Sequence, residues 1–355
     1  MKTIQIVRTL YPHWGAHSGL QQYLRHLDAR RFRILEKVVP MDKPWRRVPI
    51  LGKRMMRNYE AARRDVYQVS DFNAEMSLCA RSLIRRIDLI HLLDAEHALR
   101  FLPAGLKWAS AFHRRPRVVA MYHQPPAILK TLVCPAVVRR ADTVLLVSPT
   151  QAPFFASFFP EERIRLIPLG VDTDYFRPLP RPRVDGPFRC LAIGVWLRDY
   201  EALIASARIL RDRNAGRFEF HIVSTSRLDI PAGMENITIH RQISDAAMLG
   251  LYQTVHAFYM PLKDATSNNA LLEAIACGLP VISSDLPAVR YYLGEQAAIL
   301  VAGNSPQEFA DALILLDRDR GRCEIMGAAA RRRALEFSWP AVAAQYEKFY
   351  EEECR

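Results

Sequence analysis

Residues 259–282 read YMPLKDATSNNALLEAIACGLPVI, and this stretch decides how the rest of the chain is interpreted. A short apolar run ends at Pro261, a small polar loop follows, and an apolar helical pattern begins at about Asn269. Gly278, with a proline two residues later, is a common helix end, and Val281 starts a second apolar run. The stretch therefore predicts a strand, a loop, a helix and another strand, which is the unit of parallel sheets.

The same alternation of short apolar runs and helical patterns extends along the whole chain. It predicts strands at 4–8, 89–93, 118–122, 143–147, 190–193, 218–223, 257–260, 281–283 and 298–301, and helices at 19–27, 201–211, 245–252, 269–277 and 306–316. Residues 179–187 interrupt the pattern with three prolines and a glycine, which predicts a linker. We therefore predict the α/β class, with two Rossmann-like, doubly wound domains facing a cleft, at 1–168 and 188–339, joined by 169–187.

Composition narrows the class of protein. The 355 residues suffice for two domains with full cores, and no charge-free apolar run approaches the roughly 18 residues of a membrane span. The N-terminus enters a strand-like run at once, which does not resemble a secretory signal. The six cysteines form no CxxC pair and predict reduced thiols, without a disulfide framework or zinc site. We expect a cytoplasmic protein.

The positive charge is concentrated in the first half of the chain. Residues 1–180 hold 29 Lys and Arg against 15 Asp and Glu, whereas residues 181–355 hold 20 against 22. Such asymmetry predicts an anionic partner. Nucleic acid is disfavoured because no helix-turn-helix, zinc-finger or RNP-type pattern occurs.

Cationic residues and apolar residues, Trp45 among them, alternate between residues 43 and 64, where only Glu60 opposes eight Lys and Arg. This mixture predicts that the segment, which includes Arg46, Arg47, Arg54 and Arg57, lies on an anionic membrane surface. The alternative is a solvated segment whose apolar residues cover their own domain.

The loop and helix of the opening stretch also predict a binding site. Backbone amides at 266–269 carry the positive end of a helix dipole, which suits a phosphate. Glu273 lies one turn into the helix, where its carboxylate would accept hydrogen bonds from a ribose diol. The alternative is a capped helix with a surface glutamate.

A family resemblance follows from several motifs together. NNALLEAIACGLPV at 268–281 resembles the donor-site signature of the family 4 glycosyltransferases, which have the GT-B fold. Further resemblances occur in the family's order. In the first half of the chain, Ser18-Gly19 resembles its Gly-Gly loop, DLIH at 88–91 resembles its Asp-x-x-His strand, and Tyr122-His123 resembles the strand end with its active-site histidine. Later, IPLGVDTDYFRP at 167–178 resembles its interdomain motif, and FSW at 337–339, followed by a helix, resembles the C-terminal helix that crosses back to the first domain.

The resemblance implies a retaining glycosyltransferase that moves a sugar from a nucleotide-diphosphate donor to a saccharide or lipid-linked acceptor, in bacterial-type envelope glycan or polysaccharide synthesis. It makes 1–168 the acceptor domain, with the helix at 340–355 packing back on it, and 188–339 the donor domain. It implies no cofactor and no required metal. It also implies that the basic segment faces an acceptor at the inner face of the plasma membrane. A nucleotide-sugar epimerase of the same fold and a non-catalytic nucleotide-sugar-binding protein remain alternatives.

The resemblance also implies residue roles. It makes His123 catalytic, and Asp264 is assigned the catalytic place of a family glutamate that this chain lacks. It assigns the donor nucleotide to Gly19, Arg198, Lys263, Ser267, Asn268, Asn269 and Glu273. For Arg198 the alternative is an ion pair with a neighbouring carboxylate, and for His123 a satisfied interior histidine.

Two departures from the family pattern affect these roles. Ala265 stands where the family carries a second glutamate, and Asp264 is the adjacent candidate to replace it. Arg198 matches the family's lysine after Gly194, but the arginine that precedes it there is missing. Asp172-Thr173-Asp174 is a weak indication of a cation, because two carboxylates in a turn are insufficient by themselves.

Overall fold

A computed structural model describes residues 1–11, 15–41, 67–109, 114–179, 186–214 and 218–355. The chain divides into two units. The first contains the described residues of Met1–Trp14, Gln21–Pro168 and Val342–Arg355, and the second contains Gly15–Leu20 and the described residues of Leu169–Ala341. The basic segment with Arg46, Arg47, Arg54 and Arg57 lies outside the described residues.

The first unit is built on a parallel sheet of six strands in the order β2-β1-β3-β4-β5-β6. The strands are β1 (Lys2–Leu10), β2 (Phe32–Pro40), β3 (Leu89–Leu92), β4 (Arg117–Tyr122), β5 (Thr143–Leu146) and β6 (Ile164–Leu166). β3 and β5 are buried along their whole length, as expected of strands covered on both faces. Their sequences are therefore largely apolar and lack the alternation of a half-exposed strand.

The helices of the first unit precede and follow these strands. They are α1 (Val69–Ile84), α2 (Leu102–Ala109), α3 (Pro126–Leu132), α4 (Pro135–Val138) and α5 (Ala152–Phe155). The predicted helix at 19–27 is a 3₁₀ segment, Leu20–His26. Buried Glu75 of α1 accepts hydrogen bonds from the amides of Arg100, Phe101 and Leu102, and so satisfies the orphan donors at the start of α2.

The second unit contains another parallel sheet of six strands, in the order β12-β11-β10-β7-β8-β9. The strands are β7 (Phe188–Ile193), β8 (Phe218–Val223), β9 (Ile237–His240), β10 (Ala257–Met260), β11 (Val281–Ser284) and β12 (Ala298–Val301). The chain builds outward from β7 to β9 and then returns to the opposite side of β7. The switch point of this sheet therefore lies between β7 and β10.

The helices that follow in the chain are α6 (Tyr200–Asn214), α7 (Asp245–Thr254), α8 (Asn269–Ala276), α9 (Pro287–Leu293), α10 (Pro306–Arg318), α11 (Arg320–Glu336) and α12 (Trp339–Glu353). No helix among the described ranges is long and apolar enough to cross a membrane.

The C-terminal residues Val342–Arg355 belong to the first unit, where a buried chain of hydroxyls anchors them. The Tyr350 hydroxyl bonds to the Tyr23 hydroxyl at 2.8 Å and to His91 Nδ1 at 2.7 Å. Arg117 and Glu353 add an ion pair at 2.9 Å. Burial lowers the pKa of His91 to about 3, so its ring is neutral in this core.

The two parallel sheets confirm the predicted α/β class with two doubly wound sheets. All nine predicted strands are present, whereas β2, β6 and β9 were not predicted. The domain prediction placed residues 15–20 within the first domain, and the structure groups them with the second unit. The physical reason is that His17 bonds to Asp172 and Ser18 bonds to Glu273, both of which belong to the second unit.

Candidate functional site

The loops that follow β7 and β10 meet at the switch point of the second sheet. The Asp199 amide donates to the Pro261 carbonyl at 2.9 Å, and the Lys263 amide donates to the Leu197 carbonyl at 2.9 Å. These two bonds form a short antiparallel bridge between the loops, beyond the ends of the two parallel strands. Ligands of open parallel sheets bind beyond such strand ends, so this paired loop is where the second unit is expected to hold one.

Arg198 is fixed within this loop by all of its guanidinium nitrogens. Nε donates to the Ile193 carbonyl at 2.9 Å, Nη1 to the Trp196 carbonyl at 2.8 Å, and Nη2 to Asn268 Oδ1 at 3.3 Å. The alternative ion pair with Asp199 is not formed, because that carboxylate accepts from the Ala202 amide and from Asn304.

Gly194 is the residue that makes room for this side chain. Its φ is +113°, which disfavours other residues, and a Cβ there would lie 2.6 Å from Arg198 Nη2. Burial lowers the pKa of the Arg198 guanidinium, and its three hydrogen-bond partners are neutral oxygens. A partly desolvated cation with neutral partners favours an anion in its vicinity.

The N-terminus of α8 adjoins this guanidinium. Asn268 caps the helix, because its Oδ1 accepts from the Leu271 amide at 3.3 Å as well as from Arg198. Within the described part of the chain, the amides of Asn269 and Ala270 bond to no other group. The cap therefore connects a fixed cation to two amides at the positive end of a helix.

Glu273 lies one turn into α8 and is only 5% exposed. Its Oε1 accepts from the Ser18 hydroxyl at 2.5 Å, and its Oε2 accepts from the Tyr252 hydroxyl at 2.8 Å. Burial raises the pKa of the Glu273 carboxyl, and the two hydroxyl bonds oppose that rise. The alternative of a surface glutamate is wrong for this side chain.

The segment Gly15–Leu20 contacts Glu273 through Ser18, and the neighbouring His17 anchors the segment. The His17 ring stacks on the Tyr175 ring at 3.6 Å, and His17 Nδ1 bonds to Asp172 Oδ2 at 2.7 Å. Gly19 is buried with a φ of +101°, a conformation that glycine adopts at little cost. The structure thus brings the predicted Gly19 segment and the predicted Glu273 together.

The Asp172 carboxylate has a local structural role. Asp172 Oδ1 accepts from the amides of Asp174 and Tyr175, at 3.2 and 3.0 Å, and closes the turn. Burial acts to raise the pKa of Asp172, but the bonds from His17 and these amides outweigh it, and the pKa is lowered. No group of three or more His, Cys, Asp or Glu side chains suited to a metal occurs in the described ranges.

The remaining predicted residues of the second unit lie in the loop between β10 and α8. The Lys263 side chain is exposed, and Ser267 is half-buried. Asp264 Oδ1 accepts from the Ala265 amide at 2.7 Å, so this carboxylate bonds to its own loop. The start of the loop is held by β11, because Ser284 Oγ accepts a hydrogen bond from the Leu262 amide at 2.7 Å.

His123 follows β4 in the first unit. Its Nε2–H donates to the Leu93 carbonyl at 2.5 Å, and its amide donates to Glu96 Oε1 at 2.7 Å. The ring is half-buried. These two bonds fix its position at the C-terminal edge of the first sheet.

Sequence reasoning gave no role to Tyr252, Asn304 or the hydroxyl of Ser18. Tyr252 lies in the predicted helix 245–252, and nothing in a helical pattern shows that its hydroxyl reaches a carboxylate 21 positions later. Ser18 was singled out only as part of a motif. Asn304 bonds to Asp199 and to the Leu262 carbonyl, contacts made by residues far apart in the chain.

Solved structures share this architecture. A sucrose-phosphate synthase from Thermosynechococcus elongatus matches with a TM-score of 0.72 at 18% identity, over 99% of both chains. HepE from Anabaena, solved in complex with UDP-glucose, matches with a TM-score of 0.69 at 12% identity, over 99% of this chain and 100% of that one. The paired parallel sheets are those of the GT-B fold.

Sequence comparisons then identify the family. The family described as "Glycosyltransferase Family 4" matches residues 15–175, and the one described as "Glycosyl transferases group 1" matches residues 189–319. The chain belongs to the family 4 type of GT-B glycosyltransferases. This finding confirms the resemblance predicted from the motifs.

Curated relatives are similar over part of their length. A D-inositol 3-phosphate glycosyltransferase from Arthrobacter sp. (strain FB24) is 28% identical over 58% of this chain and 52% of its own. A GDP-mannose-dependent alpha-(1-6)-phosphatidylinositol monomannoside mannosyltransferase from Mycobacterium tuberculosis is 26% identical over 59% of this chain and 61% of its own. The chain therefore spans between half and two thirds of the length of these relatives.

Proposed function

We propose that this protein is a glycosyltransferase whose sugar donor is a nucleotide-diphosphate sugar bound at the switch point of the second sheet. The observation that carries the proposal is the arrangement around Asn268, whose side chain bonds both to the Arg198 guanidinium and to the first turn of α8. A cation and a helix N-terminus that converge on one side chain suit the diphosphate of such a donor.

In this proposal Arg198 and the amides of Asn269 and Ala270 hold the diphosphate. The exposed ammonium of Lys263 and the polar groups of Ser267 and Asn268 lie in the same loop and add to its positive and hydrogen-bonding character. Together they would stabilise the charge that develops on the leaving group. We propose that no metal ion is required, because these groups supply that stabilisation.

Glu273 is proposed to bind the ribose of the donor. Its carboxylate lies one helical turn beyond the amides that face the phosphates. A carboxylate accepts hydrogen bonds from two neighbouring hydroxyls, and such charge-assisted bonds are about twice as strong as neutral ones. Gly19, in the segment that contacts Glu273, supplies a side-chain-free backbone beside it.

The proposed reaction is transfer with retention of the anomeric configuration. The bond from the anomeric carbon to the β-phosphate oxygen breaks, and its electron pair stays with the nucleoside diphosphate. The acceptor hydroxyl oxygen bonds to the same face of that carbon, and its proton passes to the departing phosphate oxygen. His123 is proposed to contact the reacting sugar, as the family resemblance implies, and Asp264 is proposed to replace the family glutamate whose position Ala265 occupies.

The proposed acceptor is a saccharide or a lipid-linked saccharide of an envelope glycan or polysaccharide. The relative from Mycobacterium tuberculosis is named for a phosphatidylinositol monomannoside acceptor, which supports a lipid-linked molecule as one class to test. The charge of the segment at 43–64 supports an anionic surface as a partner. Vesicles with anionic lipid should bind the protein at low salt and release it at about 0.5 M salt.

Calorimetric titration with UDP, GDP and ADP and with the matching monophosphates tests the donor site. One nucleoside diphosphate should bind measurably, and its monophosphate should bind at least about tenfold more weakly, because the β-phosphate charge is lost. Equal affinity for both would contradict the diphosphate assignment. NMR of the anomeric proton in the product would test retention.

A further inference from the structure

The carboxylate proposed to bind ribose already holds a hydroxyl group from the protein itself. Ser18 Oγ donates to Glu273 Oε1 at 2.5 Å. A serine hydroxyl and a ribose hydroxyl are the same kind of donor toward a carboxylate oxygen. The inference that follows rests on the proposed donor site.

The two hydroxyls on Glu273 differ in their surroundings. The bond from Tyr252 to Oε2 is fully buried, and Tyr252 itself is 0% exposed. The bond from Ser18 to Oε1 is only partly buried, and Ser18 is a half-buried residue. The Tyr252 bond is therefore a fixed part of the core, whereas the Ser18 bond lies where a ligand could replace it.

Burial explains why the ligand-free carboxylate needs a donor on each oxygen. A buried charged group that loses a hydrogen-bond partner carries an uncompensated desolvation cost. Burial raises the pKa of Glu273, and the Ser18 and Tyr252 bonds oppose the rise by favouring the charged form. The Ser18 hydroxyl thus keeps the carboxylate ready to accept hydrogen bonds.

The position of Ser18 is set by the residues on both sides of it. His17 is held between the Tyr175 ring and the Asp172 carboxylate, with ring centroids 3.6 Å apart and a hydrogen bond of 2.7 Å. Gly19 then turns the chain with its positive φ. The Ser18 hydroxyl is therefore delivered to Glu273 by an anchored backbone.

We propose that Ser18 is a specificity-determining residue whose hydroxyl occupies the place of a donor ribose hydroxyl on Glu273 until the donor displaces it. The exchange replaces one hydroxyl with another, so a ligand that brings hydroxyls regains the lost bond. A ligand without them leaves the bond from Ser18 to Glu273 in place and gains no hydrogen bond from this carboxylate. Ser18 therefore lowers the affinity for a donor with a ribose diol and narrows the preference for that donor over a ligand without the diol.

Calorimetry on the full chain tests the exchange with two ligands, the preferred nucleoside diphosphate and its 2′,3′-dideoxy analogue. In Ser18→Ala no protein hydroxyl must be displaced, so the ribose form should bind at least about fivefold more tightly than to the unaltered protein. The dideoxy form should bind both proteins with about the same affinity. Ser18→Thr retains the hydroxyl and is the matched control, which should behave as the unaltered protein does.

The outcomes separate this proposal from the donor site itself. Weaker binding of both ligands to Ser18→Ala would make Ser18 a direct ligand contact and overturn the proposal, and unchanged affinity for the ribose form would overturn it as well. In both cases the diphosphate site would stand. If the unaltered protein binds no nucleoside diphosphate, the donor site and this proposal both fail. Ligand-free Ser18→Ala should have a lower Tm than the unaltered protein, because Glu273 Oε1 loses its hydroxyl donor. Saturating nucleoside diphosphate should restore the Tm.

Discussion

Replacing Arg198 with alanine separates its role in ligand binding from its role in the loop. The guanidinium makes three hydrogen bonds, to Ile193, Trp196 and Asn268. Only the last of these faces the proposed phosphate site, and the loop keeps its backbone bridge to residues 261–263. We therefore expect Arg198→Ala to fold. Its free energy of unfolding should fall by about 1–3 kcal/mol, because the Ile193 and Trp196 carbonyls lose their hydrogen-bond donor.

The expected loss of affinity is larger for a diphosphate than for a monophosphate. A charge-assisted hydrogen bond to a phosphate contributes about 1.5–3 kcal/mol. Its loss should lower the affinity for the nucleoside diphosphate by roughly 10- to 150-fold. The monophosphate should lose less than about threefold, since we place the guanidinium on the terminal phosphate of the pair. The difference between the two losses isolates the β-phosphate contact.

The assay is calorimetric titration of both proteins with the diphosphate and the monophosphate of one base. Arg198→Lys is the matched variant, because it keeps the charge but lacks the planar fork that bonds to three oxygens, and intermediate affinity is expected. Equal losses for the two nucleotides on Arg198→Ala would refute the reasoning and would make Arg198 a purely structural residue of the loop.

Four further expectations concern the site and the stability of the fold. Glu273→Gln should weaken donor binding by about 1–3 kcal/mol in calorimetry, through loss of charge in the bonds to ribose. Transfer activity should survive EDTA. Activity that is lost in EDTA and regained on addition of Mn²⁺ would contradict the proposed metal-free site. Burial raises the pKa of Asp71 to about 7, so the folded state binds this proton more tightly and the free energy of unfolding falls as pH rises from about 4 to about 7; Asp71→Asn should flatten that decline in urea titrations. Gly327→Ala would place a Cβ 2.4 Å from the Gly278 carbonyl oxygen and should cost about 1–3 kcal/mol of unfolding free energy, whereas Gly250→Ala, a helical position with open space, should be neutral or stabilising.

The strands that the sequence did not reveal are those with the least apolar burial. β9 has no fully buried residue, and β6 has two exposed residues of three. β2 alternates irregularly between buried and exposed positions. Interior strands such as β3, β5 and β10 are buried at every position, and their largely apolar sequences therefore identify them.

The donor loop was predictable because its groups are close in the chain, whereas the groups that orient it are not. Asn268, Asn269 and Glu273 lie within one strand–loop–helix unit, so their relation follows from helical geometry. The bond from Ser18 to Glu273 joins residues 255 positions apart, and the bond from His17 to Asp172 joins residues 155 positions apart. No local pattern encodes such contacts, and only the folded chain shows them.

The central claim is that the second unit binds a nucleotide-diphosphate sugar for transfer. The most direct measurement is the release of nucleoside diphosphate from UDP-, GDP- and ADP-sugars by the unaltered protein and by Glu273→Gln, purified in the same way. We predict that one donor base is consumed, that added acceptor accelerates its consumption, and that Glu273→Gln is slower at subsaturating donor. Consumption of no donor, or an equal rate for both proteins, would contradict the account.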